Sequence, residues 1–573
     1  MIRYSAAVKT LFAVAFLLVL TSLSAHAATN VPLIIRNGMI YDGKGGAPYR
    51  GDIAIANGRV VAIGDVSQYS ADEQLDVRGL AVAPGFINVL SWAPESLLYD
   101  GRGLSDVKQG VTLEIFGEGD SFGPLSAASR EELLKTQGDI RYDITWTSLG
   151  EFLDHLVKKG VSPNVASFIG ATTVRTHEVG YANRAPTKAE LLRMQELVRQ
   201  AMREGALGVG SSLIYAPAAY AKTDELVAIT KAASEFGGAY ISHMRSEGDR
   251  FLEALDELIG IAREAHVHAE VYHLKAAGKQ NWPKMKQAIA RIEAARKEGL
   301  SISANMYPYT AGATGLDASM PPWVQEGGID AWVKRLQDPK IRERVIKEMR
   351  TPGKDWESLY FAAGSPERIL LIGFKNPELK PYTGKSLAEV AKLRNRSPED
   401  TVIDLVIADH TRVSTAYYLM SEDNVKLGLS QPWVSLGSDE GAPAPEKAFL
   451  LSNPHPRAYG TFARFLGFYV RDQGVAKLPD AIRRLTQLPA QNFKLKERGC
   501  IDPQCHADIV VFDPNGIEDH ATFQKPREFA TGVSHVFVNG RQVLKFGQHT
   551  GATPGEVVRG PGWTGWKSGS PAR

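Results

Sequence analysis

Short apolar runs alternate with long amphipathic helical patterns through the middle of the chain, and this alternation restricts the fold more than any other feature. Residues 239–245 and 302–309 are two of the apolar runs, and residues 188–205 and 250–266 are two of the helical segments. Repeated strand–helix alternation predicts a parallel sheet, and this many units favours an α/β fold with a closed (β/α)8 TIM-like barrel. An open doubly wound sheet is the alternative fold.

A strand-rich pattern with short turns occurs at both ends of the chain. Residues 31–82 and 499–550 contain short alternating apolar runs with Asn-Gly turn pairs. Neither piece has enough strands to bury a sheet alone, so we expect them to form one composite β-sandwich around a barrel at residues 83–498. Residues 320–400 or so are rich in Lys, Glu and Pro and break the alternation. We expect them to be an insertion before the last barrel strand.

The first residues have the pattern of an export signal. Residues 1–27 contain basic residues, an apolar run at 11–20 and the small-x-small site Ala25-His26-Ala27. The run is shorter than the roughly 20 residues that a membrane helix needs, although an uncleaved anchor is the alternative. We therefore expect a signal peptide at 1–27 and a soluble periplasmic or secreted protein with no membrane association after cleavage. A net charge of +2 with no basic block predicts no nucleic-acid partner.

The chain has two cysteines, Cys500 and Cys505, in one Pro-containing loop. In an oxidising compartment such a pair is expected to form a local disulfide. Free thiols are one alternative, and a metal site with the adjacent His506 is another. The metal alternative leaves a fourth ligand unexplained.

Four apolar runs end in side chains suited to metal-dependent hydrolysis. His243 and His273 end two successive runs, Asp439 ends a late run and Glu118 an early one. In a (β/α)8 barrel the active-site groups lie at the carboxyl ends of the strands. Imidazole and carboxylate suit Zn²⁺ with one open position for water, and a free carboxylate can accept the proton of that water. The alternative is that these groups are structural hydrogen-bonding residues.

Three other histidines are not assigned to the metal. His266 and His268 form a His-x-His pair, but the pair lies where a strand begins, at the opposite end of the barrel. We therefore expect it to be structural. His177 lies in a loop near the active-site end and is expected at most to support the site indirectly.

Eight further segments occur in the order known from one enzyme family: 82–88, 108–119, 211–217, 241–249, 272–278, 304–312, 436–441 and 455–466. By these segments the chain resembles the N-acyl-D-amino-acid deacylases (D-aminoacylases) of the amidohydrolase superfamily over nearly all of its mature length. The resemblance implies a TIM barrel with a β-sandwich, one or two zinc ions, and hydrolysis of an amide in an acylated D-amino acid. It also implies His243 and His273 as zinc ligands and Asp439 as the catalytic base.

The same resemblance assigns substrate-binding residues. Arg457 is expected to bind the substrate carboxylate, while Tyr215 and one of Tyr307 or Tyr309 line the pocket. Arg245 is a second candidate for contact with an anion. Paired hydrogen bonds between a guanidinium and a carboxylate are the physical reason to expect an arginine.

Two segments depart from the family pattern. The first barrel strand of the family usually ends in Asp-x-His-x-His, whereas residues 88–92 are Asn-Val-Leu-Ser-Trp. One of the two possible metal positions has therefore lost its ligands. The family often has Gly-Asn-Cys-Gly after the second strand, with Cys as a ligand, whereas residues 117–120 are Gly-Glu-Gly-Asp. Glu118 is the nearest substitute, offset by one position, ahead of Asp120.

These departures leave two hypotheses. The first is an enzyme with a single Zn²⁺ at Glu118, His243 and His273, which hydrolyses N-acyl-D-amino acids or related small acylated amino acids and peptides. The second is a degenerate barrel that binds ligands without catalysis. The intact segments around Asp439 and Arg457 favour the enzyme. A cyclic-amide hydrolase of the same superfamily is the alternative enzyme class.

Overall fold

The structure, a computed structural model, describes residues 28–565. The predicted signal peptide, residues 1–27, lies outside the described residues. Within the described range, no helix combines the length and apolar character needed to cross a bilayer.

Strands make up the two ends of the described chain and the centre of its middle part. They are β1 (Thr29–Ile40), β2 (Tyr49–Ala56), β3 (Arg59–Gly64), β4 (Tyr69–Asp76), β5 (Ala81–Pro84), β6 (Phe86–Asn88), β7 (Val111–Phe116), β8 (Asn164–Ser167), β9 (Ile169–Gly170), β10 (Gly208–Ser212), β11 (Ala239–His243), β12 (Ala269–Val271), β13 (Ile302–Met306), β14 (Gly312–Gly315), β15 (Ile369–Gly373), β16 (Ser414–Tyr417), β17 (Val434–Leu436), β18 (Ile509–Phe512), β19 (Val533–Val538), β20 (Arg541–Lys545) and β21 (Gln548–His549).

Helices occupy most of the intervals between the middle strands. They are α1 (Pro94–Tyr99), α2 (Leu104–Val107), α3 (Ala127–Thr136), α4 (Leu149–Lys159), α5 (Ala171–Glu178), α6 (Lys188–Arg203), α7 (Thr223–Ser234), α8 (Phe251–Ala265), α9 (Lys284–Lys297), α10 (Ile329–Leu336), α11 (Pro339–Met349), α12 (Leu359–Ala363), α13 (Leu387–Leu393), α14 (Pro398–Asp409), α15 (Glu422–Leu429), α16 (Arg457–Arg464), α17 (Leu478–Leu485) and α18 (Gln487–Asn492). Short 3-10 turns and one π-helical segment, Phe465–Asp472, complete the helical structure.

Helix α6 shows why the sequence forms these helices. The Thr187 side chain accepts a hydrogen bond from the Glu190 backbone, and the Glu190 side chain bonds back to Thr187. This reciprocal cap satisfies backbone donors that a helix start leaves unpaired. The buried residues of α6 recur at helical spacing: Met194, Val198, Ala201 and Met202.

Strands from the two ends of the chain share one sheet. Its order is β21-β20-β19-β18-β5-β1-β2-β3, and β4 pairs with β1. The two ends meet where β5 and β18 run antiparallel, with Pro84 opposite Ile509 and Ala81 opposite Phe512. Buried aliphatic side chains from both ends form one cluster in this sheet, which includes Leu33, Ile53, Val82 and Ile509.

The middle strands are parallel and form two sheets, β6-β7-β8 and β9-β10-β11-β12-β13-β17. Only Phe168 separates β8 from β9, so that β6, β7, β8 with β9, β10, β11, β12, β13 and β17 make eight strands. The Val89 N–H donates to the Leu436 carbonyl at 3.3 Å, and Ser91 forms a parallel bridge with Glu440. These bonds connect the first strand of the series to the last.

The segment between β13 and β17 is longer than the expected insertion at about 320–400. It contains a separate three-stranded antiparallel sheet, β14-β16-β15, together with α10 to α14. Strand β14 precedes the expected boundary and β16 follows it. The sequence pattern missed β14 because Gly312–Gly315 has no apolar alternation. The segment has a buried cluster of its own that includes Leu316, Trp332 and Leu371.

Cys500 and Cys505 form a disulfide in the loop before β18. The neighbouring His506 imidazole lies 3.3 Å from the Arg59 guanidinium. Burial and the Arg498 and Arg59 charges lower the pKa of His506 to about 4. Both cysteine sulfurs are in the disulfide, and the His506 imidazole faces the Arg59 guanidinium. These contacts disfavour the metal alternative.

The close approach of β10 to the loop after β7 gives a test of the fold. A Cβ on Gly210 would lie 2.0 Å from the Gly117 carbonyl oxygen, so Gly210→Ala should lower the free energy of unfolding by at least about 2 kcal/mol. A Cβ on Gly260, within α8, would meet no neighbouring atom within 4 Å. Gly260→Ala should stabilise the protein by up to about 1 kcal/mol, because alanine favours the helix. Urea denaturation of both variants measures the difference, and equal effects would contradict this packing.

Candidate metal centre

Glu118, His243 and His273 come together at the carboxyl ends of the middle strands. Glu118 follows β7, His243 ends β11 and His273 follows β12. Glu118 Oε1 lies 3.2 Å from His243 Nδ1 and 2.9 Å from His273 Nε2. The three side chains are buried, and their possible ligand atoms all lie within 4.8 Å of one another. The structure thus brings together the three ligands that the sequence predicts.

The chemistry of this cluster fits a divalent cation. Burial opposes ionisation of Glu118, but the charges and hydrogen bonds of His273 and His243 hold its pKa well below the ordinary value. The His243 Nε2 atom is buried and has no hydrogen-bond partner. A carboxylate and two imidazoles are a ligand set that Zn²⁺ accepts, with room for a fourth ligand.

The acidic neighbours of His273 favour the protonated form of its imidazole. Burial and Lys275 lower its pKa, but Glu247 and Glu118 outweigh them and raise the pKa to about 9. An imidazole must be neutral to bind a metal. Metal binding should therefore displace this proton, and metal affinity should rise with pH.

The backbone is strained where the site residues leave their strands. His273 and Asp439 adopt φ angles of 35° and 53°, in the left-handed region that is costly for residues with a side chain. The His273 N–H is held by the Asn305 side chain at 2.9 Å, and the Asp439 N–H by the Leu90 carbonyl at 2.8 Å. Such strain persists only where the surroundings enforce it, as is common at functional sites.

Asp439 lies beside the cluster and pairs with Arg457. Arg457 Nη1 is 2.8 Å from Asp439 Oδ2, and Arg457 Nε is 3.5 Å from Glu440 Oε2. Burial raises the pKa of Asp439 to about 6, although the Arg457 charge opposes the shift. A carboxylate with such a pKa is ionised at neutral pH and can accept a proton.

Trp92 is a site residue that the sequence reasoning missed. Its indole nitrogen lies 2.8 Å from Glu118 Oε2 and 3.2 Å from Asp439 Oδ1. The sequence showed only that the family's histidines are absent from residues 88–92. It gave no signal that the tryptophan turns toward the carboxylates.

Lys275 and Glu247 were also missed. Lys275 Nζ lies 2.6 Å from Glu247 Oε1 and 2.7 Å from His273 Nδ1, and Glu247 Oε2 lies 3.8 Å from His243 Nε2. Burial would raise the pKa of Glu247, but Lys275 and the two imidazoles hold it well below the ordinary value. A signal was present, because both residues lie in segments that carry the family resemblance, 241–249 and 272–278.

Two of the three tyrosines named from the sequence face the cluster. The Tyr215 ring lies 5.3 Å from the His243 ring, and the Tyr307 ring lies 6.3 Å from the His273 ring. The Tyr307 hydroxyl is buried and has no hydrogen-bond partner. In contrast, the Tyr309 hydroxyl donates to the Pro456 carbonyl at 3.4 Å.

Arg245, the second candidate for contact with an anion, pairs with a carboxylate that is not part of the cluster. Its guanidinium forms two hydrogen bonds of 2.9 Å with Glu257, which satisfy its charge. Asp120 likewise lies outside the group of three ligands. His268 bonds to Ser301 and Ser303, as expected of a structural residue.

Asn88 lies beneath the site in a buried polar group. Its side-chain nitrogen donates to Asp106 at 3.1 Å, to Glu114 at 3.0 Å and to the Ser438 hydroxyl at 2.8 Å. Its carbonyl oxygen accepts from the Ser438 backbone at 2.9 Å. Because Ser438 precedes Asp439, this group fixes the chain that carries the proposed base.

The Glu114 carboxyl makes stability depend on pH. Burial raises its pKa from 4.5 to about 7. Below the pKa of the unfolded chain, the carboxyl is protonated in both states and its contribution to stability is fully present. As the pH rises through about 7, the buried carboxyl must ionise and this contribution is lost. The wild type should therefore lose unfolding free energy from this group as the pH rises from 4.5 to 7, and the neighbouring Asp106 carboxyl, whose pKa burial and Glu114 also raise, acts in the same direction.

Glu114→Gln should remove most of that loss, because the amide does not ionise. Urea denaturation of wild type and variant at pH 5 and pH 8 tests this, with the exposed Glu343→Gln as the matched control. An equal pH dependence in wild type and Glu114→Gln would contradict the assignment.

The family model described as the amidohydrolase family matches residues 162–544, more than half of the chain. The chain belongs to the amidohydrolase family. The D-aminoacylase of Alcaligenes xylosoxydans xylosoxydans is 33% identical to this amidohydrolase. The match covers 92% of the present chain and 97% of the D-aminoacylase. The resemblance found in the sequence is thereby confirmed.

Solved structures agree with this assignment. An N-acyl-D-glutamate deacylase from Bordetella bronchiseptica, complexed with zinc and a phosphonate inhibitor that mimics the tetrahedral intermediate, has a TM-score of 0.76. Its identity is 28%, with 92% of this amidohydrolase and all of that chain covered. A D-aminoacylase structure has 30% identity, a TM-score of 0.76 and the same coverage. That D-aminoacylase has a binuclear metal center, with one-metal activation and second-metal attenuation. The mixed α/β amidohydrolase fold is confirmed.

Proposed function

We propose that this amidohydrolase hydrolyses the amide bond of N-acyl-D-amino acids, or of related small acylated amino acids and peptides, with one zinc ion. The observation that carries the proposal is the buried Glu118–His243–His273 cluster, with Asp439 and its partner Arg457 beside it. A degenerate barrel would have no reason to keep this combination. The names of the similar deacylases support the substrate class and the D configuration.

Glu118, His243 and His273 would hold the metal. When bound, zinc supplies Lewis acidity and lowers the pKa of water toward neutrality. Asp439 is the proton acceptor because its pKa of about 6 leaves it ionised at neutral pH and its Oδ1 atom shares the Trp92 indole N–H with Glu118 of the cluster. The same carboxyl group, once protonated, can return the proton to the leaving amine.

Arg457, Lys275 and Tyr307 form the proposed recognition site for a substrate carboxylate. The Arg457 guanidinium lies 4.5 Å and the Lys275 ammonium 5.7 Å from the centre of the Tyr307 ring. Arg457 Nε and Nη1 and the Tyr307 hydroxyl are buried without a hydrogen-bond partner, and these donors favour an anionic group next to the scissile amide. A cyclic-amide hydrolase has no need of such a group, and this observation favours the linear substrate.

Three further features belong to the proposal. We infer that the eight parallel strands form the (β/α)8 barrel and that the terminal sheet forms the composite β-sandwich. We also infer that the protein acts in the periplasm or outside the cell, since residues 1–27 have the pattern of a signal peptide. Amino-terminal sequencing of the mature protein should begin at Ala28, and an intact Met1 would contradict export by cleavage.

The metal assignment predicts that His243→Ala loses zinc and activity together. Plasma mass spectrometry should give about one zinc per chain for the wild type and far less for the variant, because two ligands rarely retain zinc. His177→Ala is the matched control, since His177 also contacts a carboxylate, Glu178, at 3.0 Å but lies outside the cluster. A metal-free wild type without turnover would favour the degenerate barrel.

The carboxylate assignment predicts a difference between two neighbouring tyrosines. Tyr307→Phe should raise KM for an N-acetyl-D-amino acid about tenfold, because one hydrogen bond to a charged group is lost. Tyr309→Phe should change KM little, since that hydroxyl already bonds to Pro456. For the corresponding amino-acid amide, which lacks the carboxylate, Tyr307→Phe should have almost no effect. Equal effects on acid and amide would contradict the assignment.

A further inference from the structure

The Trp92 indole connects two carboxylates that have different roles in the site. Glu118 Oε1 contacts the two imidazoles, and Glu118 Oε2 accepts a hydrogen bond from the indole nitrogen at 2.8 Å. Asp439 Oδ2 pairs with Arg457, and Asp439 Oδ1 accepts a hydrogen bond from the Trp92 indole nitrogen at 3.2 Å. A single N–H group therefore lies between the free edges of the metal-binding carboxylate and the catalytic carboxylate.

The backbone holds Trp92 at this position from both sides. The Trp92 N–H donates to the Glu440 carbonyl at 2.9 Å, next to Asp439. The preceding Ser91 N–H donates to the Ile115 carbonyl at 3.0 Å, in the strand that leads to Glu118. The backbone at Ser91 and Trp92 is thus hydrogen-bonded to the same two chain segments that carry Glu118 and Asp439.

An indole N–H is a donor with no accessible lone pair, and it cannot bind a metal ion. It nevertheless places a partial positive charge between two carboxylates that would otherwise repel each other. The two carboxylate oxygens that contact the indole nitrogen at this position are Glu118 Oε2 and Asp439 Oδ1. Among residues 28–565, the one group of three or more clustered metal-ligand residues is Glu118, His243 and His273.

We propose that the Trp92 indole takes the position of a second metal ion between Glu118 and Asp439, and that it restricts the centre to one ion. Trp92 is then a positioning residue, because it orients the Asp439 carboxylate through a hydrogen bond and touches neither substrate nor metal in this role. The proposal rests on the metal centre of the proposed function. It accounts for the loss of the family's first-strand histidines without a loss of catalysis.

This role separates the chain from a relative that has a binuclear centre. The D-aminoacylase described above is characterised by one-metal activation and second-metal attenuation. In the present chain, zinc in excess should neither bind beside the first ion nor inhibit turnover, because the indole N–H already lies between Glu118 Oε2 and Asp439 Oδ1 and bonds to both.

The experiment compares the wild type with Trp92→Phe, Trp92→His and Trp323→Phe. Trp323 is the matched control, since its indole N–H also donates to a carboxylate, Glu348 at 2.9 Å, but in the insertion. Trp92 is 40% exposed, so its replacement removes little packing and the variants should fold. Metal-free protein is titrated with zinc and with cobalt by calorimetry, and bound metal is counted after dialysis by plasma mass spectrometry.

We expect one ion in the wild type and in Trp323→Phe, and two in Trp92→His, because the imidazole supplies a ligand beside the two carboxylates. The cobalt spectrum of Trp92→His should show a second absorbing centre. Trp92→Phe should lower kcat about tenfold with KM nearly unchanged, since the orientation of Asp439 is lost while the carboxylate site for substrate is intact. It should also become sensitive to inhibition by excess zinc.

Two ions in the wild type would overturn the inference, and so would a Trp92→Phe variant that matches Trp323→Phe in kcat, metal content and zinc inhibition. The metal counts require no substrate. One ion in the wild type and two in Trp92→His, without hydrolysis of any acylated amino acid, would sustain the role of Trp92 and refute the proposed function. Turnover with two ions in the wild type would refute the role of Trp92 and sustain the hydrolysis of acylated amino acids.

Discussion

The buried negative charge of Glu118 holds together the carboxyl ends of the middle strands. Its carboxylate contacts two imidazoles and an indole, which come from three different strand ends. A buried carboxylate is costly unless it is paired and hydrogen-bonded, so the surroundings must supply donors from every side. The strained φ angles of His273 and Asp439 are tolerated because these contacts, and the backbone bonds beneath them, determine where each residue must lie.

Positive and negative groups alternate outward from this carboxylate. The Lys275 ammonium and the His273 imidazole both contact Glu247 Oε1, at 2.6 Å and 2.9 Å, and Arg457 contacts both Asp439 and the Tyr307 ring. Each buried charge thus has a partner of opposite sign, which is the condition under which such charges are stable in a low-dielectric interior. The arrangement also explains how two neighbouring carboxylates can differ, since Glu118 stays ionised while burial raises the pKa of Asp439 to about 6.

The sequence predicted the parts of the site that depend on strand position. His243, His273, Asp439 and Glu118 could be placed together because the ends of parallel strands meet at one edge. The contacts of Trp92, Lys275 and Asn88 depend on how side chains turn after leaving a strand, and apolar periodicity does not record that direction. For the same reason Arg245, two residues beyond His243, was expected at the site although Glu257 draws it away. The insertion boundary was misplaced because β14 is made of small residues with no strand pattern.

The pairing of β5 with β18 has a consequence for how the chain is made. Strands β6 to β17 and helices α1 to α18 lie between these two strands in the sequence, so the terminal sheet cannot close until the last part of the chain has left the ribosome. Contacts between such distant segments form late, because loop closure costs entropy before the contacts stabilise the fold. A nascent chain that ends before β18 therefore lacks the strand that joins its two ends, and removal of residues 509–573 should prevent completion of the terminal sheet.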